Sequence, residues 1–171
     1  IYEKTGKPKY LKALQLLKSQ MDTHPRISNG GYWHKQIYPH QVWLDGLYMG
    51  SVFYARYCVL FGREDLLDDV VHQFTQAYAL TLDPSNGLCV HACDSSRQMY
   101  WADPITGHSP HVWLRALGWF VMAMVDLLEV LPSSHAGHAD VHAILRSLLA
   151  SIQKVADPAT NLWYQVPDQA G

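Results

Sequence analysis

Apolar residues return every three to four positions along three stretches of the chain. Tyr10, Ala13, Leu14, Leu17 and Met21 do so between Lys9 and Asp22, and Leu66, Val70, Phe74, Ala77 and Tyr78 between Asp65 and Leu80. Val141, Ile144, Leu145, Leu148 and Ile152 repeat the pattern between Ala139 and Val155. Each stretch predicts a helix with one buried and one solvated face. Two others, Trp43 to Phe61 and Val112 to Leu131, are apolar nearly all round and predict helices buried on most faces. Gly62 and Pro132 supply their C-terminal stops. The fold class expected from this pattern is all-α.

Half-exposed and wholly apolar helices alternate, which implies an outer and an inner layer. The alternation is a repeat. Val42-Trp43-Leu44-Asp45-Gly46-Leu47 returns as Val112-Trp113-Leu114-Arg115-Ala116-Leu117, preceded by Pro39-His40 and Pro110-His111. Asp83-Pro84-Ser85-Asn86-Gly87-Leu88 returns as Asp157-Pro158-Ala159-Thr160-Asn161-Leu162, and Asn29-Gly30-Gly31-Tyr32-Trp33-His34 parallels Asn86 to His91. A unit of one αα-hairpin, repeated side by side, curves into an arc and closes as an (α/α) barrel or toroid. Residues 1–171 are expected to form a single domain of that kind. With two hairpins, a leading outer helix and a trailing loop, the chain is expected to be a fragment, completed by further segments or a second chain.

Composition narrows the function classes. The chain has 171 residues, of which 49% are apolar and 16% charged, which excludes a disordered chain. Its formal charge is −2 and no basic stripe is present, so no nucleic-acid partner is expected. Asp45, Arg56, Arg115 and Asp126 interrupt the apolar runs, so neither a membrane span nor a membrane partner is expected. No signal-peptide pattern opens the sequence, and the expected location is cytoplasmic. Cys58, Cys89 and Cys93 make neither a disulfide framework nor a zinc ribbon; Cys58 is expected in the core and the other two in a strand. Ten His and six Trp suit the binding of uncharged or weakly charged rings. No metal or organic cofactor is called for.

Candidate chemistry lies in the loops that precede the two apolar helices. Asp103 follows Trp101 in Met99 to Pro110, and it is either a turn-opening Asp-Pro or an acid beside a stacking plate. In the second case Trp101 would desolvate the carboxyl and raise its pKa. Asp45 opens the first apolar helix, either complementing the helix N-terminus or presenting a carboxylate to a pocket mouth. Arg115 takes its place in the second copy. His91 shares one repeat position with His34 and Gln165, and the three could ring the mouth. Trp33 and Trp163 are stacking plates or hydrophobic lids, whereas Trp43, Trp113 and Trp119 are expected in the core.

Four ordered motifs carry a resemblance across essentially the whole chain: Val42 to Gly50, His91 to Asp94, Trp101 to Asp103, and Ser109 to Trp119. Together they resemble the unsaturated rhamnogalacturonyl hydrolases, glycoside hydrolase family 105. The resemblance implies an (α/α)6 barrel, about half of it covered by this chain. The implied reaction removes the unsaturated galacturonyl residue left on rhamnogalacturonan by pectin lyases. In it an acid protonates C4 of the enol ether, water adds at C5, and the hemiketal collapses to release the neighbouring sugar. The substrate partner is thus an unsaturated oligosaccharide. Asp103 matches the general acid/base, Asp45 a second carboxylate orienting substrate or water, His91 a sugar contact and Trp101 a stacking residue. Arg115 matches a motif arginine with a structural or carboxylate-facing role. The chain departs from the family at Leu114, where glycine is usual, and at Ser95, where an acid is usual. Two alternatives stand beside this reading: an unsaturated glucuronyl hydrolase acting on glycosaminoglycan fragments, and a non-catalytic carbohydrate-binding barrel fragment.

Overall fold

Every predicted helix is present in the computed structural model, which describes residues 1–169. A short α1 (Tyr2–Thr5) leads into α2 (Pro8–Thr23), which Pro8 opens at a position where its missing N–H costs nothing. The first apolar helix, α3, runs in three continuous pieces: Leu44–Gly46, a wide π turn at Leu47–Ser51, and Val52–Leu60. A 3₁₀ turn at Glu64–Leu66 precedes α4 (Leu67–Thr81). The second apolar helix is α5 (Leu114–Leu128) and the last is α6 (His138–Lys154). Gly62 ends α3 with φ 62°, and Arg63 N–H returns to Cys58 O at 2.7 Å, so this glycine is used as a helix stop.

The two layers follow from which faces are apolar. Inner helices α3 and α5 pack on each other; α2 and α4 lie against α3, and α6 packs on α5 and α4. Leu44, Ala55 and Cys58 of α3 meet Val70, Phe74 and Ala77 of α4, Leu117, Phe120 and Met124 of α5, and Leu148 of α6 in one buried core. Phe74 and Phe120 sit at its centre with rings 6.0 Å apart and 14° from parallel, both without exposed surface. Phe120→Ala is expected to cost about 3–5 kcal/mol, because its neighbours are too tightly held to refill the space. Urea denaturation checks this, and a loss under 1 kcal/mol would show a core free to collapse.

Short strands tie the loops to the helix starts. β1 (Gln41–Trp43) pairs antiparallel with β4 (Ala92–Asp94), Gln41 opposite Asp94 and Trp43 opposite Ala92. β2 (Leu82–Asp83) and β3 (Leu88–Cys89) form a hairpin. The repeat extends to single hydrogen bonds: Leu44 N–H donates to His91 O, and Leu114 N–H donates to Gln165 O at the matching positions. Cys58, Cys89 and Cys93 are free and buried, the latter two in β3 and β4.

The inner helices are buried on most faces, as expected, although Met49, Met122 and Val125 remain 45–59% exposed. One expectation is corrected. Trp43, Trp113 and Trp119 are not core residues. Trp43 and Trp113 are the extended residues that enter α3 and α5, so their side chains leave the helix axis before the core-facing stripe begins. Trp119 is half-buried and packs on Tyr48. Among the described residues no helix is long and apolar enough to cross a membrane.

Candidate active site

Asp45 lies in the first turn of α3 and is 9% exposed, a position that leaves a carboxylate few water contacts. Two side chains replace them. His91 Nε2 is 3.0 Å from Asp45 Oδ2, and Arg115 donates to Oδ1 at 3.3 Å. His91 reaches Asp45 because the β1–β4 ladder and the Leu44–His91 bond set the end of β4's approach beside the start of α3. Arg115 reaches it because α5 lies alongside α3. The two residues that occupy one position of the repeat therefore touch. Burial pushes the Asp45 carboxyl up, but the hydrogen bond and charge of His91, together with Arg115, outweigh it and hold the group below the ordinary carboxylate range.

Indoles bracket this cluster. The His91 ring makes edge contacts with Trp43 at 5.1 Å and with Trp113 at 5.3 Å, and the Arg115 guanidinium stands 4.6 Å over the Trp113 ring. Trp113 is 38% exposed and Arg115 is open on its outer side, so both present surface to an incoming molecule. An anion-facing guanidinium, a shielded carboxyl, an imidazole and aromatic plates can bind a charged sugar and move a proton on it. Apolar neighbours hide these indoles in the sequence, and only the structure shows each standing one residue ahead of its helix.

Asp103 is in a different situation. It is exposed, and its Oδ1 accepts from Ile105 N at 2.9 Å, Thr106 N at 2.7 Å and Thr106 Oγ1 at 2.9 Å. These bonds, the Thr106 amide foremost, lower its pKa, so the expected rise against Trp101 is not found. The turn recurs. Asp83 and Asp157, each also followed by proline, accept the amide two residues on at Ser85 and Ala159. In all three turns the aspartate's backbone O takes the amide four residues on, from Gly87, Gly107 and Asn161, each at positive φ. Asp103 closes an Asp-Pro turn three times used.

The other candidates divide. His34 is stacked on Trp43 at 4.3 Å, and its buried Nδ1 faces α3 at Gly46. Burial, then the Lys35 charge, pushes its pKa down to about 4. Gln165 contributes its backbone O to Leu114. Trp33 packs on the core and against His40, and Trp163 donates its indole N–H to Ile152 O at the end of α6. Trp101 is half-buried in the loop that Asp94 holds. That loop hangs from a carboxylate with no exposed surface, which accepts from Ser96 N, Ser96 Oγ, Gln98 N and Met99 N. A cavity of about 360 Å³ opens on the far side of Trp43, lined by Leu17 and Met21 of α2 and by Gly46, Met49 and Phe53 of α3. Among the described residues no group of three His, Cys, Asp or Glu side chains is gathered as metal ligands.

On paired helical hairpins the chain sets a carboxyl between histidine, arginine and indoles, an arrangement suited to handling a sugar ring. The chain belongs to Glycosyl Hydrolase Family 88, whose family model matches residues 1–171. It is similar to the protein Atu3128 of Agrobacterium fabrum, 44% identical over 123 residues that make up 72% of this chain and 52% of that one. The unsaturated rhamnogalacturonyl hydrolase YesR of Bacillus subtilis is 26% identical over 174 residues, with 98% of this chain and 48% of YesR covered. Among solved structures, a family 105 glycoside hydrolase of C. acetobutylicum superposes with a TM-score of 0.96 at 48% identity, over 98% of this chain and 47% of the other. The chain thus spans about half the length of the relatives it matches.

Proposed function

We propose that the site acts on an unsaturated uronyl group at the end of an oligosaccharide, hydrating its C4=C5 enol ether, with Asp45 rather than Asp103 as the proton-transfer group. The observation that carries this is the contact of Asp45 with both His91 and Arg115 beneath two indoles. Asp103 has its Oδ1 committed to a turn and stands in solvent.

In this reading the uronate carboxylate of the substrate pairs with Arg115, whose bond to Asp45 is long and whose side chain is half exposed. Such a pair is weak and readily exchanged. Losing Arg115 to the substrate, while the sugar excludes water, removes one influence that lowers the Asp45 pKa and strengthens the one that raises it. Asp45 then takes up a proton and delivers it to C4. The carboxylate so formed accepts a proton from the water that adds at C5, and the proton count closes. The hemiketal opens and the neighbouring sugar leaves. His91 holds Asp45 Oδ2 in place, and Trp113 offers a face to the ring.

The similarity to YesR supports an unsaturated galacturonyl group. The protein carrying this chain is expected to abolish the ultraviolet absorbance of an unsaturated galacturonyl-rhamnose disaccharide faster than that of an unsaturated glucuronyl one. Equal rates, or the reverse order, would count against the pectin assignment. Arg115→Met is expected to raise KM about 10–100-fold, the worth of a hydrogen-bonded charge pair. An unchanged KM would remove Arg115 from substrate binding. The exposed Met49, Met122 and Val125 fit a further proposal, that the chain forms about half of an (α/α)6 barrel and that further helices cover these residues.

A further inference from the structure

Three parallel rings lie beside the site, and their arrangement assigns a task to two residues that touch no part of the Asp45 cluster themselves. The His34 ring is 4.3 Å from Trp43 with planes 4° apart, and the Tyr38 ring is 5.0 Å from Trp43 with planes 10° apart. His34 and Tyr38 are themselves 6.2 Å apart and 8° from parallel. Rings stacked on opposite faces of one indole would be separated by two contact thicknesses, about 7 Å or more. The observed separation is smaller, so His34 and Tyr38 lie side by side on the same face. They tile that face of Trp43.

Each tile is fixed in turn. The His34 ring is wedged against α3, where a Cβ added at Gly46 would meet its Nδ1 at 3.2 Å. His34 N–H donates to Gln41 O at 2.7 Å, and Tyr38 N–H donates to Lys35 O at 2.9 Å. The indole N–H of Trp43 donates to Oε1 of Gln41, itself only 2% exposed, at 2.9 Å. Trp43 is therefore held at one face and at its nitrogen. It meets the His91 ring at 5.1 Å, and His91 meets Asp45 at 3.0 Å.

We infer that His34 and Tyr38 are positioning residues of the active site, an aromatic backing that fixes the Trp43 indole and through it the His91 imidazole against Asp45. The inference rests on the reading of Asp45 and His91 as the working pair. Without the backing, Trp43 can turn into the cavity beside α2, and His91 loses the plate that sets its ring angle. Supporting residues of this kind act on the geometry of the group that touches the substrate.

The test uses Tyr38→Ala, Tyr38→Phe and His34→Ala in the complete chain. Both alanine variants are expected to lower kcat about tenfold with KM within twofold, and Tyr38→Phe, which keeps the ring, to restore kcat. The ¹⁵N resonance of His91 Nε2, recorded without substrate, is expected to move toward that of a free imidazole in the alanine variants and to return in Tyr38→Phe. Wild-type kcat and an unmoved His91 resonance in both alanine variants would overturn the inference, as would a Tyr38→Phe variant as impaired as Tyr38→Ala. If His34→Ala does not fold, the loop pair Tyr38→Ala and Tyr38→Phe decides the matter alone. If no unsaturated uronate is turned over, the proposed activity fails, while the His91 resonance still judges the backing.

Discussion

Asp45→Asn is expected to lower kcat about 10²–10⁴-fold while Asp103→Asn leaves it within a few-fold, the range that loss of one acid–base group commands. The amide keeps the size of the carboxyl and can still face His91 and Arg115, so binding should survive and KM should change little. What disappears is the proton for C4 and the base for water. Asn at 103 can still accept the amides of Ile105 and Thr106, as asparagine does in turns of this type, so the loop should keep its form. Loss of conjugated-uronate absorbance under saturating substrate measures both variants. A silent Asp45→Asn, or an inactive but folded Asp103→Asn, reverses the assignment.

The second large effect concerns stability. Asp94→Ala is expected to cost about 3–5 kcal/mol, because three amides and a hydroxyl would lose their acceptor inside the protein. For a chain of this size that is a fall of roughly 10 °C in Tm. Burial raises the Asp94 pKa, but the bonds from Ser96, Met99 and Gln98 outweigh it and the group ends below its ordinary value. The sign for pH follows. A carboxyl whose folded pKa is depressed contributes stability that is full above its unfolded value, about 3.9, and is lost as pH falls through the folded value. Acid unfolding of the wild type should therefore steepen below about pH 4, and the alanine variant should lack that component. Thermal scans at pH 7 and pH 3 check both parts, and a variant within 1 kcal/mol of wild type would show that the loop finds other acceptors.

Helix positions were legible from periodicity alone, and the repeat predicted which helices lie inside. Two features were not. Trp43 and Trp113 read as core because their neighbours Val42, Leu44, Val112 and Leu114 are apolar. Each helix starts two residues after its apolar run begins, and the extended residue just before it turns the indole toward the site. Asp103 read as an acid because Trp101 stands two positions before it. Yet Asp103-Pro104-Ile105-Thr106-Gly107 has the same form as Asp83-Pro84-Ser85-Asn86-Gly87 and Asp157-Pro158-Ala159-Thr160-Asn161, which the repeat had already marked as loops. In the structure the Oδ1 of Asp103 closes such a turn, and the third copy of that turn was present in the sequence. The tiling of Trp43 by His34 and Tyr38 left no such trace, since it depends on a loop conformation that no spacing encodes.

The meeting of Asp45 and Arg115 has a consequence for how such a site can arise from copied hairpins. Two identical copies would bring two carboxylates or two guanidiniums to about 3 Å, and either pair would drive the helix starts apart. Duplication alone could not have produced this contact. It required one copy to change sign, and from then on neither residue could revert without penalty to the other. The contact of Asp45 with Arg115 and the mutual register of the two inner helices are therefore inherited together.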